Sequence, residues 1–300
     1  MTVDERFERL AKMPFRETGA AGSAWLSGVR AIREISSQRQ LLKLMINRDI
    51  KARYKDSALG FAWSLARPLT QLAIYYLVIG LFLGAERGIP NFAIYVFTGL
   101  TAYGLFSEIV LSSTASIVGN SGVIKKVQLP REIFPLASVG SASFNFGIQL
   151  IILIAATILL GVIPLSWELA YFLPSLLILL VYGLALGLIL SAANVYLRDT
   201  QYLVEVIVLI MLWASPIVYS WQMVRDFLGS GFLLELYTNN PVTLAVLGFQ
   251  RAFWISGHDA VDYPGELLMR QGIAIVIGLV LIVIGQRIFD RLQGNFAQEL

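Results

Sequence analysis

After Gly60 the chain runs through six long apolar stretches separated by short polar ones. A helix needs about 20 apolar residues to cross the hydrocarbon core of a bilayer. The stretches therefore predict an all-α integral membrane protein with six transmembrane helices, at about 61–83, 92–118, 134–160, 171–195, 203–219 and 271–288. Composition agrees. Charged residues make up 14% of the chain and hydrophobic ones 57%, whereas soluble domains carry about 25% charged residues. The first span is interrupted by Arg67 and Pro68 near its start, and the second contains Glu108. Those are the two charges read as intramembrane, a thin basis for an ion-coupled pump. The fourth span carries Gly183 and Gly187 in the GxxxG spacing that lets helices approach closely.

The region 221–260, before the last span, is of mixed character. Pro241–Ile255 is apolar but too short to cross, and it carries Arg251. It is expected to be re-entrant or interfacial, since irregular backbone survives at membrane depth only under a cover of protein or water. Residues 60–290 thus form the transmembrane domain and 291–300 a tail.

Basic residues set the orientation. Residues 1–59 hold 12 of the 23 Lys and Arg. With the N-terminus inside, the inner segments hold 18 and the outer ones only Arg87, Arg225, Arg251 and Arg270. The excess of inner cations predicts a multi-pass protein of the cell (inner) membrane with both termini cytoplasmic. A basic end beside apolar spans is topology and not a nucleic-acid site. Residues 1–37 are too charged to contain the apolar core of a cleavable signal peptide; short helices are expected near Val3–Met13 and Trp25–Ile35.

Residues 38–59 read as an amphipathic interface helix. Leu42, Met45, Ile46, Ile50 and Tyr54 share one face, while Lys43, Asn47, Lys51 and Lys55 share another, with Arg48 beside them. The apolar side suits the acyl boundary and the cations suit phosphates or a soluble partner. A plain lipid-surface anchor fits the periodicity as well.

Catalytic signatures are missing. There is no Cys, and His258 is the single histidine, a poor start for a zinc site or a Ser-His-Asp triad. No G-x-x-x-x-G-K-[ST] pattern is present for phosphate binding. No inverted repeat of the kind found in secondary transporters is visible. The chain is read as a non-enzyme that holds no cofactor or metal itself. Aromatics reach 12%. Tyr75, Tyr76, Tyr103, Phe106, Trp213, Tyr219 and Trp221 fit either an interfacial belt or a surface along which sugar rings slide. Tyr75 and Tyr76 lie mid-span, where a belt explains them less well. Two basic loops, with Lys125, Lys126, Arg131 and Glu132 in one and Arg198 and Asp199 in the other, are either topological signals or partner contacts.

The order of several marks carries a resemblance. They are Arg48 and Asp49; Arg53, Tyr54 and Lys55; Ser57, Leu59 and Gly60; Trp63 and Pro68; Leu129, Pro130, Arg131 and Glu132 followed by Phe134 and Pro135; Arg198 and Asp199; and a tail from Phe296 to Leu300 in which Gln298 replaces an acid. Over residues 40–300 the chain resembles the permease subunit of type-2 ABC exporters for lipid-linked polysaccharides, the O-antigen, teichoic acid, capsule and galactan group. The resemblance implies a homodimer that pairs with two copies of a separate ATP-binding subunit, where ATP and Mg would sit. It implies that Arg48, Asp49, Lys51, Arg53, Lys55, Lys125, Lys126, Arg131, Glu132, Arg198 and Asp199 couple to that subunit. The first and fifth spans would line a channel for the glycan, and Arg53, Lys55 and Arg67 would receive the diphosphate of its lipid carrier. Alternatives are a type-2 exporter of a small molecule, an integral membrane glycosyltransferase using Asp259 and Asp262 near His258, and a passive channel.

Overall fold

The computed structural model describes residues 38–54, 62–127, 129–258 and 260–300. The short helices expected before residue 38, and Lys55, Ser57, Leu59, Gly60 and Asp259, lie outside the described residues, as do the side chains of Tyr54, Trp63 and Arg67. No strand occurs among the described residues.

Helix α1 is Arg39–Tyr54. Helix α2, Ala62–Ile74, contains Pro68 and continues as a π-helical stretch, Tyr75–Phe82. Helix α3 is Phe92–Gly119, α4 the single turn Ser121–Ile124, and α5 Ile133–Leu159. A 3-10 turn, Trp167–Tyr171, leads into α6, Phe172–Tyr196. Then follow α7, Thr200–Trp213; α8, Trp221–Leu228; α9, Phe232–Thr238; α10, Pro241–Phe253; α11, Leu267–Leu292; and α12, Phe296–Glu299.

Four of the six apolar runs give helices long and apolar enough to cross a membrane: Phe92–Gly119, Ile133–Leu159, Trp167–Tyr196 and Leu267–Asn295. The first and fifth runs give shorter apolar helices. The fifth begins three residues earlier than 203 and stops at Trp213. Pro216 is the reason, since it cannot donate to a helical ladder and pushes the residue before it toward extended backbone. Its carbonyl is held by the Tyr95 hydroxyl at 2.9 Å and the Gln250 amide at 2.6 Å.

Helix α3 is apolar on nearly every side and sits at the centre, with Phe92, Tyr95 and Ile109 fully buried. Such a helix must be wrapped by others. Helix α6 wraps it most closely. A Cβ at Gly183 would stand 2.8 Å from the Ile109 Cγ2, and one at Gly187 would stand 2.7 Å from the Ser113 Cβ. The GxxxG pair thus serves the close packing its spacing predicts. On its other side α6 packs against α11. Exposed apolar side chains on α5 (Ile151, Ile158), α7 (Leu203, Val206, Ile210) and α11 (Ile273, Val276, Val280) turn outward, as suits a multi-pass protein in lipid.

Among its described residues the region 221–260 holds three short α-helices and a 3-10 turn, Ile255–Gly257. Helix α10 is buried against α3, α6 and α11. Its 13 residues rise about 20 Å, too little to cross. Asn240 caps it by accepting from the Val242 N–H at 2.9 Å, and the Trp254 indole donates to the Pro90 carbonyl at 2.6 Å.

At the opposite, basic end a second core joins α3, α4, α5, α6 and α11 to the tail. Phe296 lies in it with 0% exposure. Its ring meets Phe289 edge-on at 5.6 Å and Tyr196 at 6.2 Å, and the Arg131 guanidinium lies 5.5 Å above it. Helix α1 docks on α5 nearby, with Ile46 filling the notch left by Gly140.

Candidate functional site

One face of α3 is polar within its apolar surroundings. Tyr103, Gly104, Ser107, Glu108 and Ser112 recur at helical spacing on that face. Helix α5 adds Asn145 and Gln149, one turn apart; α2 adds Pro68 and Gln71; α7 adds Glu205, Val208 and Leu212. Together they line an open groove of about 940 Å³. Arg53, at the end of α1, stands at its basic end. The Arg53 Nη1 lies 2.5 Å from the Glu108 Oε1, and the Asn145 amide donates to that same oxygen at 2.6 Å. The Tyr103 hydroxyl donates across the groove to the Val208 carbonyl, tying α3 to α7. Ionisable and amide side chains in apolar helices are expensive unless they face protein or water. Their gathering on one groove sets polar groups beside Phe97, Leu100, Leu111 and Leu209, which line it too.

A smaller cavity of about 250 Å³ adjoins it, between α1, α3 and α5. Arg48, Asp49 and Arg53 meet Ser112, Ser116, Asn120, Ser138 and Ser141 there. Arg53 and Ser112 line both spaces.

The predicted residues fall in distinct places. Arg48 and Asp49 pair with each other at 2.7 Å, and Lys51 is exposed on α1. Lys125 and Lys126 are exposed after α4, and Arg198 and Asp199 are exposed between α6 and α7. Arg131 is partly buried, which lowers its pKa from the ordinary value. Glu132 is buried and accepts from the Gln286 and Gln293 amides at 3.2 and 3.3 Å. Burial raises its pKa, with the nearby Asp290 carboxylate adding to the rise. Among the aromatics, Tyr103 lines the groove and Phe106 is in the core. The Tyr75 and Trp213 rings meet edge-on at 6.4 Å. The Tyr219 hydroxyl donates to the Trp213 carbonyl at 2.6 Å, and the Trp221 indole donates to Thr238 at 2.8 Å. Trp213, Tyr219 and Trp221 thus collect at the end of α7, beyond the groove residues. Tyr76 packs beside Gly80 on the π-helical stretch.

Sequence reasoning missed Gln71, Asn145, Gln149 and Glu205. The signal was present: an amide pair one turn apart inside an apolar run, and a carboxylate two residues into another. It also gave no role to Phe296. His258 is held by structure, with its Nδ1 3.0 Å from the Glu168 Oε2 and its Nε2 2.8 Å from the Arg251 carbonyl.

An apolar helical bundle with four helices long enough to span and a groove of mixed polar and apolar lining has the architecture of a multi-pass membrane protein. The model of the ABC-2 type transporter family matches residues 40–254, and the chain belongs to that family. It is similar to the O-antigen export system permease protein RfbA of Klebsiella pneumoniae, 29% identical over 262 residues, which cover 87% of this chain and 95% of that protein. The protein of the same name from Myxococcus xanthus is 29% identical over 272 residues, 91% of this chain and the whole of that one.

Proposed function

We propose that this chain is the transmembrane subunit of an ATP-driven exporter of polysaccharide. Its cargo is a glycan on a polyprenyl diphosphate, carried from the cytoplasmic to the outer side of the bacterial cell membrane. The observation that carries this reading is the groove. Its amides, hydroxyls and carboxylates offer a sugar chain the hydrogen-bond partners it loses on leaving water, and its volume of about 940 Å³ exceeds what one small ion needs. The names of the similar proteins point to the same cargo class.

The finer parts follow from it. The groove is partly open to the outside, and a second copy of the chain would close it into a channel. Six crossings, with α2 extended by its π-helical stretch and α7 completed by the non-helical residues 214–219, keep both termini cytoplasmic. Helix α10 and its neighbours form the re-entrant outer cap. ATP and Mg belong to a separate subunit that docks on the basic end. There Lys51, Lys125, Lys126, Arg198 and Asp199 are exposed, and a buried tail backs the loop that carries two of the lysines.

The test is depletion of the protein in its host, followed by location of the lipid-linked glycan through labelled sugars. Undelivered glycan accumulating on its carrier at the cytoplasmic face supports the reading. Normal surface glycan without internal build-up removes it and leaves the small-molecule exporter.

A further inference from the structure

Arg53 stands where the two cavities meet and lines both. Its partner, Glu108, is on the groove wall, 2.5 Å away. We infer that Glu108 is a built-in stand-in for the anionic end of the cargo. It holds Arg53 while the groove is empty and gives it up to a phosphate or diphosphate ester arriving in the smaller cavity. This rests on the lipid-linked glycan reading above and assigns Glu108 a positioning role within it.

Four observations carry the inference. A guanidinium takes a carboxylate and a phosphate by the same forked geometry, so the two anions compete for one set of donors. The pair is also accessible, since the Arg53 side chain is 40% exposed and that of Glu108 is 22% exposed. A fully buried pair would resist breaking and a fully exposed one would hold nothing. Glu108 is not stranded when Arg53 leaves, because the Asn145 amide still donates to it at 2.6 Å. Finally, the smaller cavity sets a second cation beside Arg53: the Arg48 guanidinium, which Asp49 on the same wall holds at 2.7 Å. An arriving phosphate thus takes Arg48 from Asp49 as it takes Arg53 from Glu108. The Asn120 amide, which gives one N–H to the Ser116 carbonyl, keeps its other for the anion. Arg53 ends α1, so the exchange also frees that helix from the wall of α3.

The competition has a signature that a simple structural latch lacks. If Glu108 and Arg53 only brace the fold, removing either weakens ligand binding. If Glu108 competes with the ligand, its removal strengthens binding while removal of Arg53 weakens it. The full chain in lipid nanodiscs is titrated calorimetrically with farnesyl diphosphate, inorganic pyrophosphate and farnesol. Glu108→Gln is expected to bind farnesyl diphosphate about five- to tenfold tighter than the native chain, and Arg53→Gln at least about tenfold weaker. Farnesol is expected to bind all three alike. Pyrophosphate following the same order assigns the site to the anion alone. The order appearing with farnesyl diphosphate only assigns it to a headgroup presented from lipid. Glu108→Gln binding no tighter than the native chain overturns the inference. If that variant does not fold, Glu108→Asp, with its shorter arm, is expected to shift affinity in the same direction, and failure to do so overturns the inference equally. The glycan reading is judged apart from this, by whether depletion strands glycan.

Discussion

Replacing Phe296 with Ala tests how the tail supports the basic end. The ring is wholly buried between α6 and α11. Truncating a buried Phe to Ala costs about 3–5 kcal/mol when the site cannot collapse. Part of that is the pair of aromatic contacts, at about 0.5–1.5 kcal/mol each, and part is the Arg131 contact, at about 0.5–1 kcal/mol. The four-residue helix α12 is too short to persist alone. The loss therefore falls on the docking of the tail, and through Arg131 on the loop beside it, more than on the bundle. Hydrogen exchange by mass spectrometry on the full chain in detergent reads this directly. A loss of about 3 kcal/mol corresponds to exchange faster by more than about a hundredfold in residues 289–300, with a smaller rise in 123–134. Phe296→Leu, which keeps most of the apolar volume, is expected to retain most of the protection. Unchanged exchange in residues 123–134 after Phe296→Ala would refute the claim that the tail backs that loop.

Gly187→Val drives two methyl groups toward Ser113 on α3 and is expected to lower stability by about 1–3 kcal/mol; thermal unfolding in detergent checks it, and an unchanged midpoint would show that α3 and α6 do not touch there. Glu132 has its folded-state pKa raised by burial. Its contribution is greatest below the ordinary carboxylate range and falls as pH rises through the raised folded value. Glu132→Gln removes that titration, so protection of residues 129–136 is expected to lose its decline with rising pH, whereas a decline equal to the native one would assign the pH dependence to another group.

The sequence makes the bundle legible because crossing a bilayer demands long apolar runs, and four of them form helices long and apolar enough to cross. Gly183 and Gly187 are legible for the same reason, since a spacing on one helix is a local property. The end of α7 was harder to see, because hydropathy does not register that Pro216 stops the helix inside an apolar run. The groove was harder still. Tyr103, Ser107 and Glu108 read as a single polar face only after α5 brings Asn145 and Gln149 beside them. Aromatics dominate the eye in such a sequence, yet six of the seven singled out lie off the groove, in the core, in ring contacts or at the end of α7. Arg53 shows the limit most clearly. Periodicity assigns it to a surface helix, and only the tertiary fold reveals that its charge is met by Glu108.

The most direct measurement of the central claim places a photoreactive residue at Gln149, on the groove wall, and separately at Ile151, which faces outward on the same helix. Cells making the glycan are irradiated and the protein is probed for attached sugar. The account predicts a glycan-bearing adduct at position 149 and none at 151. Adducts at 151 alone, or none at 149 in cells that still deliver glycan to their surface, would contradict it.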